Sequence, residues 1–330
     1  MCSWGNKVLE ILDVGTNEPE DTCYYPEEDM YMQKSNGERR CFSGKDISNT
    51  WYPDPNPLRE NLNDLKIKVR FTLSKNDWVW EKMENRVVEY YKNYDEDGRL
   101  KRHKFEYLTT VEYFNKVLKP GSKILDACAG TGIYSFYLAE QGHKVTSCDL
   151  VPHNVELMKK HEKSTLLEGI QVANVLDLSR FGDESFDVVL CMGALYHLGE
   201  EERLRTVQEC KRLLKPGGVL VLSYINRFAQ FFVYIEEELK NIGDGIRIFQ
   251  DKTDSIFTFT TPEEIEKLTS QCGIRKIHHI GQDGMMYALG KKMHEASEKS
   301  LEQLYQYHLT TCEEPSILGA SVHGMYIGMK

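Results

Sequence analysis

Two carboxylates and two glycines in one short stretch could together hold a nucleoside-bearing ligand. In KILDACAGTGIYSFYLAEQGHKVTSCDL, residues 123–150, Asp126 stands where an apolar run ends, Gly130 and Gly132 form a turn, and Asp149 closes a second run. Glycines at such a turn let the backbone approach a ligand closely, because no Cβ intervenes. A helix starting near Gly132 aims its free N–H groups at the same place. A carboxylate at the position of Asp149 can accept both hydroxyls of a ribose. Further along, Tyr196 and His197 follow the run DVVLCMGAL and bring a phenol and an imidazole to the end of another strand. His197 is expected there to orient or deprotonate an acceptor hydroxyl or amine.

The turn fits two cofactor patterns. A dinucleotide site wants G-x-G-x-x-G, and its third glycine falls on Ser135 here. An S-adenosylmethionine site wants D-x-G-x-G-x-G, which runs Asp126, Ala127, Cys128, Ala129, Gly130, Thr131, Gly132, with Cys128 in the first glycine's place. Taken alone, the turn leaves both open, beside an ordinary strand-to-helix turn without a ligand.

The elements that must position these groups alternate. Strands are expected at 123–128, 144–149, 170–175, 186–192 and 218–225, and helices at 132–141, 153–162 and 200–214. Such alternation predicts a parallel sheet with helices on both faces, a three-layer doubly wound α/β fold. Two helices precede it, EKMENRVVEYYKNYDED and FEYLTTVEYFNKVLK, the second ended by Pro120-Gly121. LLKPGG at 213–218 reads as a helix stop and a turn into the next strand. Residues 228–259 break the rhythm with an amphipathic helix, FAQFFVYIEEELKNI, and short extended pieces in IFQDKTDSIFTFT; this insertion is a candidate substrate lid. TTPEEIEKLTSQCG then carries a Thr cap, a first-turn proline and a glycine stop. A strand at 274–280, a helix at 295–309 and a strand near 322–329 complete the domain, taken as residues 81–330. Residues 1–80 are rich in turn formers and form an appendage without assigned chemistry, in which only 65–73 alternates well enough for a strand.

Composition narrows the partners. A net charge of -10 and a pI of about 5.6 disfavour nucleic acid. The nine cysteines are odd in number and contain no C-x-x-C, which predicts reduced thiols in a cytoplasmic protein. Neither a membrane-spanning run nor a leader segment is expected, and no metal-ligand spacing occurs. The oligomeric state is left open.

DACAGTG at 126–132, CDL at 148–150, LDL at 176–178, FDVVLCMGALYHL at 186–198 and RLLKPGGVLVLSY at 212–224 together resemble the class I S-adenosylmethionine-dependent methyltransferases. The last two blocks resemble its small-molecule branch. TTPEEIEKL and the ending HLTTCEEP…SVHGMYIGMK look like a bacterial group of methyltransferase-domain proteins. The resemblance covers about residues 84–330 and implies a Rossmann-like seven-stranded sheet of order 3-2-1-4-5-7-6, strand 7 antiparallel. It also implies residue roles. Asp126, Ala127 and the turn from Cys128 through Ala129, Gly130 and Thr131 to Gly132 hold the methionine part of the cofactor. Asp149 takes the ribose, Leu150 packs on adenine, and Asp177 with Leu178 bounds the adenine edge. Met192 and Gly193 present a carbonyl to its amino group, and Tyr90 and Tyr94 cover the cofactor from one face of a preceding helix. Tyr196 and His197 face the acceptor. No Asn/Asp-Pro-Pro-Tyr/Phe follows the fourth strand, which weakens a base-amino methylase. The function implied is methyl transfer to a small molecule. A protein acceptor, a non-catalytic cofactor-binding module and a nicotinamide oxidoreductase are the alternatives.

Overall fold

The computed structural model describes the backbone of six strands between residues 2 and 71, and residues 85–330 except 93, 95–97, 100–102, 237–241, 251–254 and 291. The chain divides into two units, Met1–Lys82 and Met83–Lys330. In the first, β1 (Cys2–Trp4), β2 (Lys7–Thr16), β3 (Asp29–Ser35), β4 (Glu38–Phe42), β5 (Thr50–Tyr52) and β6 (Leu65–Phe71) form a sheet of order β1-β2-β6-β3-β4-β5, antiparallel throughout. Sequence reading found only the last of these. One cause is visible in β2, whose register against β6 shifts between Ile11 and Asp13. Such a bulge puts two apolar residues in succession and breaks the alternation of period two.

The second unit opens with α1 (85–91) and α2 (Lys104–Val117). The chain then runs β7 (Lys123–Asp126), α3 (Ile133–Glu140), β8 (Lys144–Asp149), α4 (Pro152–Lys160), β9 (Gly169–Val172), β10 (Phe186–Cys191), α5 (Glu200–Leu213) and β11 (Leu214–Ile225). After it come α6 (Arg227–Glu236), α7 (Ile242–Phe249), α8 (Pro262–Gln271), β12 (Arg275–Gly281), α9 (Lys292–Glu295), α10 (Glu298–Thr311), α11 (Pro315–Ala320) and β13 (His323–Met329). Helices flank both sides of one mixed sheet of order β12-β13-β11-β10-β7-β8-β9. Counted from β7 this is 3-2-1-4-5-7-6, and β13 runs antiparallel to both neighbours. The central strands are covered on both faces: Ile124, Leu125, Val189, Leu190, Leu220 and Val221 are fully buried. Strands in that position read as unbroken apolar runs, which is why they were legible.

Two expectations are corrected. The helix stops at Leu213 as expected, but the strand starts earlier than expected: β11 begins at Leu214, pairing with Phe186, and rejoins β10 at Val219 opposite Val188. Gly217, at φ +73°, absorbs the bulge. Ile248 and Phe249, expected as the start of an extended piece, close helix α7 instead. Ile242, Ile246 and Phe249 recur at helical spacing, and Gly245 lets α7 close on Phe231 and Ile235 of α6, where a Cβ would lie 3.0 Å from Ile235. The 227–260 excursion leaves and returns at one point: Thr260 N donates to Ile225 O at 3.1 Å and Arg227 N to Thr260 O at 3.0 Å. Thr261 caps α8 with Glu264 in a capping box, and Pro262 fills its first turn. No described helix is long and apolar enough to cross a membrane.

Candidate functional site

The glycine turn joins two strand ends. Gly130 and Gly132 hold φ of +56° and +95°, conformations glycine adopts freely. A Cβ on Gly132 would stand 2.9 Å from Met158 Cγ and from Phe136 Cε2. Ala129 N donates to Cys148 O at 2.8 Å, and Gly130 N to Asp149 Oδ2 at 2.8 Å. Asp149 Oδ1 accepts from Val151 N at 2.9 Å and Asn154 Nδ2 at 3.1 Å, so the same carboxylate fixes the turn and the start of α4. Asp126 is 2% exposed, and its Oδ2 accepts from Ser135 Oγ at 2.7 Å, which in turn accepts from Ser147 Oγ at 2.8 Å. Burial, reinforced by the charge of Asp149, pushes the Asp126 carboxyl up to about 7.

This turn forms one wall of a cavity of about 370 Å³. Of the residues expected at the site, Asp126, Cys128, Ala129, Gly130, Thr131, Met192, Tyr94 and Tyr196 line it. Ala127 lies beneath, its N–H donating to Leu190 O at 2.9 Å. Gly132 packs on Met158 behind the turn. Asp149, Leu150, Leu178 and Gly193 do not line the cavity, and Asp177 is exposed, its Oδ1 accepting from Ser179 N at 3.1 Å. Tyr90, near the end of α1, is 38% exposed and is not among the residues lining the cavity. Tyr91 faces the cavity instead, while Tyr94 reaches it from beyond the helix and stacks on Tyr90 at 5.1 Å.

His197 is 6% exposed and is not among the residues lining this cavity. Its Nδ1 stands 2.8 Å from Ile256 O, which can only accept, so Nδ1 carries the proton. Nε2 then accepts from Tyr91 OH at 3.1 Å. With both nitrogens engaged and burial lowering its pKa to about 4, against the opposing pull of the Ile256 carbonyl, the ring is a neutral prop for Tyr91.

Sequence reading missed the opposite corner of the cavity, built by Arg99, His103, Glu106, Gln282 and His323. Arg99 and Glu106 pair through two contacts of 2.7 and 3.1 Å. His323 Nδ1 stands 2.6 Å from Asp283 Oδ2 and 3.5 Å from Glu106 Oε2. Burial alone would lower the pKa of His323, but the Glu106 and Asp283 carboxylates outweigh it and leave the ring above its ordinary 6.5. Burial works the other way on Asp283, yet the neighbouring His323 and hydrogen bonds from Ser321 and His323 hold it below the ordinary carboxylate value. The only available signal was VHGM opening the last strand. Nothing local in it shows that β12 and β13 bring Asp283 and His323 together.

Residues 125–222 match the family described as "Methyltransferase domain". The ubiquinone biosynthesis O-methyltransferase of Haemophilus ducreyi is 37% identical over 173 residues, 48% of this chain and 70% of that protein. Its counterpart in Xanthomonas campestris pv. campestris (strain B100) is 38% identical over 141 residues, 41% of this chain and 58% of that protein, so the match spans less than two thirds of that relative. The solved structure of Burkholderia thailandensis 1,6-didemethyltoxoflavin-N1-methyltransferase superimposes with a TM-score of 0.46 at 17% identity, covering 78% of this chain and 92% of that one. From the likeness to the Haemophilus protein, together with the matched domain, the chain belongs to the class I S-adenosylmethionine-dependent methyltransferase family.

Proposed function

We propose that this protein transfers the methyl group of S-adenosylmethionine to a small-molecule acceptor. The observation that carries the reading is the cavity itself: the glycine turn with Asp126 walls one side, and a separate polar corner walls the other. The residues present suit the cofactor. Asp126 is a buried acid at the turn, held partly protonated, and a cationic ligand beside it would restore its charge. Asp126 and the 128–132 turn would hold the methionine part. Asp149 would take the ribose, and Leu150, Asp177, Leu178, Met192 and Gly193 would bound the adenine.

When bound, S-adenosylmethionine supplies a methyl group already activated on a sulfonium. The residues of the chain then have to align the acceptor and exclude water. Tyr91, Tyr94, Tyr196 and Phe257 close the cavity with aromatic surface, and the backbone of the 227–260 excursion is tied down where Thr258 N donates to Tyr196 O at 2.7 Å. A cavity of about 370 Å³ favours a small acceptor over a protein side chain on a folded domain. The acidic net charge of -10 favours it over nucleic acid. The six described cysteines are free thiols, which suits a reducing compartment, and we place the activity in the cytoplasm.

The test is calorimetric titration of the full chain with S-adenosylhomocysteine and, separately, NAD, followed by incubation with labelled methyl donor and a cell extract split into metabolites and protein. Binding of S-adenosylhomocysteine but not NAD, with label in the metabolite fraction, is the expected result. NAD binding in its place would overturn the reading, and label confined to protein would overturn the small-molecule acceptor.

A further inference from the structure

Resting on that reading, we propose that the acceptor is a primary amine on an aromatic or similarly flat apolar body, that His323 takes the proton the amine must lose, and that Gln282 receives a second N–H of the same group.

The His323 tautomer follows from its partners. Asp283 Oδ1 accepts from Ser321 Oγ at 2.6 Å and from His323 N at 3.1 Å, and Oδ2 faces the ring. An ionised carboxylate can only accept, so Nδ1 carries the proton and Nε2 keeps a lone pair. No partner for Nε2 is found among the described residues, and His323 lines the cavity. The pair therefore has the form of a base held in one orientation by a buried acid.

Gln282 gives an independent observation. It is 1% exposed, and its Nε2 donates to Thr110 Oγ1 at 2.7 Å. Thr110 Oγ1 has already given its own proton to Glu106 O at 2.7 Å, so it can only accept from Gln282. That fixes the amide orientation and leaves Oε1 buried without a donor among the described residues. Gln282 lines the cavity, and its Oε1, without accessible surface as it stands, gains a partner when the amide shifts toward a ligand that brings an N–H or O–H.

Three features select an amine over a hydroxyl. A hydroxyl has one proton and can satisfy one of the two acceptors, whereas an ammonium can donate to both. Among the described residues, the groups facing His323 are two carboxylates, Asp283 after β12 and Glu106 on α2, against one cation, Arg99, together with His103, whose pKa is lowered by burial and the His323 charge. Carboxylates thus outnumber cations among these described groups, which suits a cation. Tyr91, Tyr94, Tyr196 and Phe257 line the cavity with aromatic surface, which suits both a flat body and an ammonium.

The placement also suits transfer. Ile225 of β11 pairs with His323, and Leu190 of β10 pairs with Asp126. Asp126 and His323 are thus three strand spacings apart across the sheet and four residues apart along it, about 20 Å between backbones, and both line the cavity. In the step, a proton passes from R–NH3+ to His323 Nε2, the freed nitrogen pair forms the N–CH3 bond, and the S–CH3 bond breaks with its pair left on sulfur. The products are R–NH2+–CH3, imidazolium and the neutral thioether.

The test uses the full chain saturated with S-adenosylhomocysteine and labelled at histidine Cε1, titrated with 2-phenylethylamine and with 2-phenylethanol, which has the same shape and no amine. The amine is expected to move the His323 resonance, assigned by His323→Asn, and to bind at least about tenfold more tightly than the alcohol. Gln282→Leu should weaken the amine about tenfold while S-adenosylhomocysteine affinity stays within about twofold. With S-adenosylmethionine, transfer to the amine should rise with pH through the His323 pKa, and Asp283→Asn, which removes a carboxylate that raises it, should move that limb to lower pH. Equal binding of the alcohol, or an unmoved His323 resonance in protein that binds S-adenosylhomocysteine, would overturn the proposal and leave the methyltransferase reading standing. Failure to bind S-adenosylhomocysteine would overturn both.

Discussion

Asp126 and His197 are both buried beside the cavity, and burial pushes their charge states in ways that can be measured. Asp126, at about 7, is half protonated near neutral pH. A ligand carrying an ammonium and a sulfonium favours its ionised form, so affinity for S-adenosylmethionine should rise as pH rises through about 7, with proton release seen as a dependence of the calorimetric heat on buffer. Asp126→Asn should flatten that rise; a wild-type affinity independent of pH between about 6 and 8 would contradict the assignment. His197 has the opposite linkage to protons. Its folded pKa of about 4 lies below the ordinary 6.5, so in that window the unfolded chain binds a proton that the folded chain refuses. Stability should therefore fall as pH drops from 6.5 to 4, by up to about 3 kcal/mol, and urea unfolding of His197→Asn should lose that slope. Asp126 was legible because an acid before a glycine turn has a local signature. The fate of His197 was not, because whether a rim histidine meets substrate or a carbonyl depends on Ile256, a residue of the distant excursion.

Element legibility followed burial. β7, β8 and β10 were read within a residue or two, since strands enclosed by helices on both sides need apolar residues throughout. The Thr cap at Thr261 was visible in the sequence, and the structure completes it into a capping box with Glu264, with bonds of 3.2 and 2.9 Å. Thr261→Ala should cost about 1 kcal/mol, read as a lower melting temperature with unchanged S-adenosylhomocysteine affinity. No loss of stability would mean that the bonds form only transiently. The bulge at Gly217 and helix α7 were missed for a shared reason: proline and glycine in one, and charges among isoleucines in the other, give local signals that tertiary pairing overrides.

At the scale of the whole molecule, alternation predicted a parallel sheet but could not order it. The order with an antiparallel β13 came from resemblance, and it matters because it returns His323 to the edge where Asp126 and Asp149 end their strands. Half the cavity is thus assembled by pairing over long sequence separation, Ile225 with His323 and Gly281 with Gly324, which no local pattern encodes. The half built from neighbouring strands was legible because its residues lie within one short stretch. At the join of β7 and β8, Asp149 holds Gly130, and the proposed function gives it the ribose. The most direct measurement is calorimetric titration of S-adenosylhomocysteine into the wild-type chain and into Asp149→Ala, with far-UV circular dichroism confirming that the variant is folded. The expected result is one site per wild-type chain and at least about 30-fold weaker binding in the variant, the loss of charge-assisted bonds to two hydroxyls. Equal affinity in the two proteins would contradict the placement of the cofactor, and with it the function proposed.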